Sequence, residues 1–267
     1  MPRSHWTRRI AGAGAAAAVL VLSGCSASGS DSSASAESGG QDITGTVTVF
    51  AAASLKESFT TLGERFEKKH PGTEVTFNFG GSDGLAAGID SGAPADVFAA
   101  ASARTMKLVT DEGLTAGSPS TFARNRLEIA TVPGNPHAID SLGDLTASGL
   151  KVVLCDETVP CGAAARTALT AGGVELEPVS YEQDVKSALT KVRLKEADAA
   201  LVYRTDVKAA GDKVEGVEFP ESAEAVNDYP IARLENAPNP SAAKAFVALV
   251  KSAEGRKVLG EAGFLKP

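Results

Sequence analysis

From residue 43 onward the chain alternates between two kinds of apolar pattern, and few folds accommodate that alternation. Short extended runs occur at Val47–Ala51, Val75–Phe79, Asp96–Ala100, Leu127–Val132, Lys151–Leu154, Ala199–Tyr203, Val214–Phe219 and Tyr229–Leu234. The segments between them carry a helical period. Leu55, Phe59, Leu62 and Phe66 fall at i, i+4, i+7 and i+11, one stripe of a helix. Val185, Ala188, Leu189 and Val192 make a second stripe, and Phe246, Val247, Leu249 and Val250 a third. Strands that alternate with helices imply mostly parallel sheets covered by helices, an α/β architecture. Gly and Pro cluster in Pro133-Gly134-Asn135-Pro136 and in Pro238-Asn239-Pro240. The extended segments Arg124–Val132 and Asn227–Leu234 are expected to cross between two lobes as a two-strand hinge. Lobe one would then hold residues 43–124 plus 230–267, and lobe two residues 125–229.

The first 42 residues belong to a different regime. Arg3, Arg8 and Arg9 precede an uncharged run, Ile10–Leu22, which has the length of a signal-peptide core and falls short of a bilayer span. That run ends in Leu22-Ser23-Gly24-Cys25, similar to the bacterial lipobox, in which the Cys is acylated and becomes the mature N-terminus. Residues 1–24 are therefore expected to be a lipoprotein signal peptide, with Cys25 the lipid anchor on the outer face of the cytoplasmic membrane. Residues 25–42 contain almost only Ser, Ala, Gly, Asp and Glu after the Cys, and so read as a flexible tether. Losing the three arginines moves the formal charge from −7 to −10. A surface that negative, without a basic run, argues against nucleic acid as a partner.

Four segments share one local design: a strand, a turn of small or hydroxyl residues, then a helix. They are Phe50–Glu57, Phe79–Leu85, Val159–Ala163 and Tyr181–Val185. In the first, Ser54 is expected to cap the helix, with Glu57 completing a capping box. A helix start presents unpaired N–H groups and a positive dipole end, which suits an anion.

Thr48-Val49-Phe50-Ala51-Ala52-Ala53-Ser54-Leu55, Phe79 to Ala86 and Ser91-Gly92-Ala93-Pro94-Ala95-Asp96-Val97-Phe98 resemble motifs of the periplasmic molybdate-binding proteins. The turn at 159–162, Asp184-Val185 and Leu201-Val202-Tyr203 follow in that family's order. The resemblance covers roughly residue 45 to the C-terminus. It implies a type II periplasmic-binding-protein fold with two α/β lobes that serves the membrane subunits of an ABC importer. The ligand would be molybdate or tungstate held between the lobes, with no further cofactor and no need to oligomerise. Carried over residue by residue, Ser54 and Ser82 would donate hydroxyl and backbone N–H groups. Cys161 and Val185 would donate backbone N–H groups, and the Tyr203 hydroxyl would complete the shell. Cys161 departs from the small apolar residue common at its position. Because an exported domain matures in an oxidising place, a Cys155–Cys161 disulfide is expected to stiffen that turn.

Other chemistries remain to be weighed. Gly80-Gly81-Ser82-Asp83-Gly84 matches the G-x-S-x-G nucleophile elbow, which would make Ser82 the nucleophile of a hydrolase. Such an enzyme needs a His after the Ser, and only His137 follows it, in Pro-Gly-Asn-Pro-His. A binding protein rather than an enzyme is the expectation. Sulfate and phosphate are the rival ligands. A phosphate site benefits from a carboxylate that accepts the ligand's proton, and Asp83 and Asp184 adjoin expected contacts, where both read as solvated first-turn acids.

Overall fold

The computed structural model describes residues 43–267; the signal segment, Cys25 and the tether lie outside the described residues. The first half runs β1 (Gly45–Ala52), α1 (Lys56–Lys69), β2 (Thr73–Gly80), α2 (Ser82–Asp90), β3 (Val97–Ala99), α3 (Ala103–Asp111) and β4 (Ser120–Asn125). The middle runs β5 (Leu127–Thr131), β6 (Val152–Cys155), α4 (Pro160–Ala171), β7 (Ser180–Glu182), α5 (Val185–Arg193), β8 (Ala199–Tyr203), α6 (Arg204–Ala210) and β9 (Glu215–Val217). The chain closes with β10 (Asn227–Arg233), α7 (Pro240–Lys251) and α8 (Ala253–Ala262).

The strands form two five-stranded sheets, ordered β2-β1-β3-β10-β4 and β7-β6-β8-β5-β9. In each, four strands run the same way, and the fourth in the order is antiparallel to both its neighbours. The strand order of one sheet therefore repeats in the other, although the sequence shows no repeat.

Burial on both faces explains the near-continuous apolar runs of the central strands. Along β1, Val47, Val49 and Ala51 join a core with α1, α7 and α8, while Phe50 points to a second core with α2 and α3. The α1 stripe is fully buried, and Phe59 and Phe66 meet the Phe246 ring at 5.9 and 5.6 Å. In the second sheet, β8 is buried at every residue, with the α5 stripe in the same core. In the third stripe Phe246, Leu249 and Val250 are buried, and Val247 is only partly so.

Asp96, the acid of the Gly-Ala-Pro-Ala-Asp motif, is structural. It accepts from the backbone N–H of Thr48 at 2.8 Å and of Asn239 at 2.5 Å, tying β1 to the start of α7. Asn239 then caps α7 by accepting from Ala242 N–H.

The crossings between sheets differ from the expected extended segments. The first is abrupt: β4 ends at Asn125 in one sheet and β5 begins at Leu127 in the other. Arg126 N–H donates to the Asn125 side chain, and Arg204 N–H donates to Arg126 O, which holds the turn-over point. The second crossing precedes β10, which lies wholly in the first sheet with Asn227 opposite Asn125. Residues 227–229 thus pair in the first sheet although the expected boundary put them in lobe two.

Candidate functional site

The helix starts after β1, β2, β6 and β7, together with the ends of β3 and β8, converge between the two sheets. This is where open α/β sheets place ligands, beyond the carboxyl ends of the strands. Thirteen residues line one small cavity there, among them Ser54, Ser82, Cys161, Val185 and Tyr203. All five expected contact residues are therefore brought together from both sheets. About 20 Å³ is open to the centre of a water-sized sphere. The oxygen centres of one small tetrahedral ion span less than that, whereas a drug-sized ligand needs a cleft of roughly 300 Å³ or more.

The hydroxyl groups are oriented by what they accept. Ser82 Oγ accepts from Ala101 N–H at 3.0 Å, so its own proton is left for the cavity. Tyr203 Oη accepts from Asn227 Nδ2 at 3.0 Å, and its proton can go either to a ligand in the cavity or to the neighbouring Tyr229 phenol. Ser54 Oγ lies 2.8 Å from Tyr229 Oη, itself 3.5 Å from Asn125 Nδ2. When Asn125 donates to Tyr229 and Tyr229 to Ser54, the serine proton also faces inward. Burial raises the pKa of both tyrosines above the usual phenol range, so both keep their protons.

Backbone donors complete the set. The expected capping box at Ser54 is not formed. Ser54 sits in a single 3₁₀ turn, Ala53–Leu55, and Leu55 precedes α1 without a side-chain cap. Tyr229 is fully buried and its hydroxyl needs a partner, so it takes the serine that solvent would otherwise leave free to cap. At α5, Asp184 caps by accepting from Lys186 N–H and Ser187 N–H, while Ser187 Oγ takes its other oxygen. Val185 N–H is the first-turn donor this cap does not use. At α4, Pro160 supplies no N–H, so Cys161 and Gly162 carry the orphan donors of the first turn.

Cys155 and Cys161 are joined by a disulfide, which closes a six-residue separation between the end of β6 and the start of α4. Gly162 packs on the same loop: a Cβ there would overlap Asp156 O, which restricts the position to glycine.

The cavity holds no cationic side chain. Its one carboxylate, Asp184, is engaged by its own helix start rather than aimed at a ligand. It is half-buried and capping, not a freely solvated acid. Asp83 lies outside the lining residues, but it is not the solvated acid expected: its Oδ1 is buried beside Gly81 without a partner among the described residues. The lining residues therefore offer neutral donors and no carboxylate aimed at a ligand, which suits a fully deprotonated oxyanion. No His lines the cavity, and His137 lies 3.4 Å from Asp198 instead. Ser82 therefore has no base beside it, as a hydrolase would require. Among the described residues no cluster of three or more His, Cys, Asp or Glu could hold a metal ion.

Sequence reasoning missed Asn125, Asn227 and Tyr229. They act through partners 80–175 residues away along the chain or across the sheet crossing, and no local pattern marks them.

Comparison with known proteins places the chain in context. The family of bacterial extracellular solute-binding proteins matches residues 47–265. The molybdate-binding protein ModA of Mycobacterium tuberculosis is 47% identical over 222 residues, covering 83% of this chain and 85% of that one. ModA of Escherichia coli is 32% identical over 231 residues, covering 82% and 89%. The solved periplasmic molybdate-binding protein of Azotobacter vinelandii superposes with a TM-score of 0.74, covering 83% and 99% at 22% identity. That likeness shows the shared type II periplasmic-binding-protein fold.

Proposed function

The chain belongs to the family of bacterial extracellular solute-binding proteins, and on that premise we propose that it captures molybdate, or tungstate, between its lobes for an ABC importer. The observation that carries the reading is one small cavity where hydroxyl groups and orphan N–H groups from both sheets meet and no cationic side chain lines the wall. Ser54, Ser82, Cys161, Val185 and Tyr203 are its ligand residues. Aligned N–H dipoles and neutral hydroxyls stabilise a dianion at contact distance, where the remote carboxylates of a net-negative protein are screened within roughly 8 Å. The absence of a free acceptor among the lining residues speaks against phosphate. The molybdate-binding relatives favour molybdate over sulfate.

The test is a thermal-shift titration with molybdate, tungstate, sulfate and phosphate, because a ligand of the native state raises the melting temperature by mass action. Molybdate and tungstate should raise it at concentrations where phosphate does not; no response to any anion would remove the reading. In the same assay Tyr203→Phe deletes one donor and keeps the ring. It should cost about 1–3 kcal/mol of binding, roughly five- to 150-fold in Kd. Unchanged affinity would take Tyr203 out of the site.

The lipobox-like Leu22-Ser23-Gly24-Cys25 supports anchorage through Cys25, with the domain working as a monomer outside the cytoplasmic membrane. Cys25→Ala should move the protein from the membrane fraction to the soluble exported fraction with its anion affinity unchanged. Retention in the membrane fraction would rule out that anchor.

A further inference from the structure

Beside the oxyanion cavity, between α1 of one lobe and α5 and α6 of the other, lies a charged cluster that the binding reading does not use. Asp206 on α6 is fully buried. Its carboxylate meets Lys186 Nζ at 3.0 Å. The same ammonium donates to both oxygens of Glu57 at 2.8 Å. The Glu57 side chain is half exposed, while that of Lys186 keeps 22% of its surface.

The three residues divide unequally between the lobes. Lys186 and Asp206 both belong to the lobe of the second sheet, whereas Glu57 stands on α1 of the other. Parting the lobes breaks the Glu57 contact and leaves the Asp206 contact intact. The ammonium is never stranded, and the Glu57 bonds exist in the closed form alone. The helices joined in this way are those whose first turns lie beside Ser54 and Val185. The pair thus ties the two helix starts across the cavity.

We propose that Lys186, pre-positioned by Asp206, is a positioning residue for anion retention, which takes hold of Glu57 on closure and so sets how slowly the ligand leaves. The proposal rests on the oxyanion-binding reading above and adds a kinetic role that the contact residues do not carry. A half-exposed pair of this kind contributes modestly. Binding to the open form precedes formation of the pair, so the association rate is untouched.

The experiment compares wild type with Glu57→Gln by stopped-flow association and displacement, using molybdate, tungstate and sulfate as probes at low and high salt. Glu57→Gln should release the bound anion about two- to fivefold faster with an unchanged association rate. Raising salt should shrink that ratio toward one by screening the wild-type pair. Lys107→Gln, which breaks the exposed Lys107–Asp111 pair within α3, should alter neither rate. Equal release rates for wild type and Glu57→Gln would overturn the proposal and leave the binding reading standing. A change confined to the association rate would overturn it too, and would mark Glu57 as a steering charge. A wild type that binds none of the three anions removes the binding reading, and the latch falls with it.

Discussion

Gly81→Ala should bind molybdate roughly five- to 150-fold more weakly than wild type while melting at the same temperature without ligand. Gly81 precedes α2 with φ −61° and ψ 132°, a conformation open to any residue. What demands glycine there is the other lobe. A Cβ at Gly81 would meet the backbone oxygen of Gln183 well inside the 3.0 Å that real Cβ contacts keep. Gln183 lies just after β7, so the clash exists only when the lobes are shut. Overpacking of this kind costs about 1–3 kcal/mol, here incurred on closure and not on folding, which is the stated loss of affinity. Calorimetric titration and a ligand-free melt measure the two halves separately. Wild-type affinity would show that the lobes close without this contact; a lowered ligand-free melt would show that Gly81 serves folding. Gly162 makes the contrast, since its obstacle is Asp156 O in its own lobe and is present whether the cleft is open or shut.

The second large effect concerns Asp206. Burial pushes its carboxyl from an ordinary 3.8 up to about 6, against the pull of Lys186. Burial would lower the pKa of the Lys186 ammonium in turn, but Asp206 and then Glu57 outweigh it, so its pKa rises and it stays charged. Between roughly pH 4 and 6 the folded protein therefore holds a proton that the unfolded chain has released. The stability Asp206 contributes is present below its unfolded value and is lost as pH rises through the folded one. Two pKa units correspond to roughly 3 kcal/mol. Asp206→Asn keeps the volume and removes the titration. Urea unfolding at pH 4, 5, 6 and 7 should show wild type losing about that much stability relative to Asp206→Asn as pH rises. A pH-independent difference would mean that Asp206 titrates normally.

What the chain disclosed before its structure was known divides along a physical line. Turns after strands are local, so the starts of α2, α4 and α5 were legible from glycines, hydroxyls and a proline within a few residues. The stripes of α1 and α5 were legible because burial repeats with the helix. The partners that orient the donors were not. Asn227 reaches Ala101 and Tyr203, and Tyr229 reaches Ser54, through sheet pairings that no neighbouring residue announces. The capping box at Ser54 was a sound local preference overruled by a buried phenol 175 residues away. One strand also escaped notice: β4 reads Ser-Thr-Phe-Ala-Arg-Asn with no clean alternation.

The strand order shared by the two sheets has a geometric consequence for the ligand. It makes β1 the counterpart of β6, β2 of β7 and β3 of β8. Ser54 then corresponds to Cys161, Ser82 to Val185, and Ala101 to Tyr203. Each lobe thus offers donors from the same two strand ends, and Tyr203 stands where the other lobe has Ala101, whose N–H is held by Ser82. A tetrahedron has two-fold axes of its own. An ion of that shape can turn about such an axis and offer the same oxygens again, so a cradle that draws on like strand ends in both lobes need not seize it in one orientation.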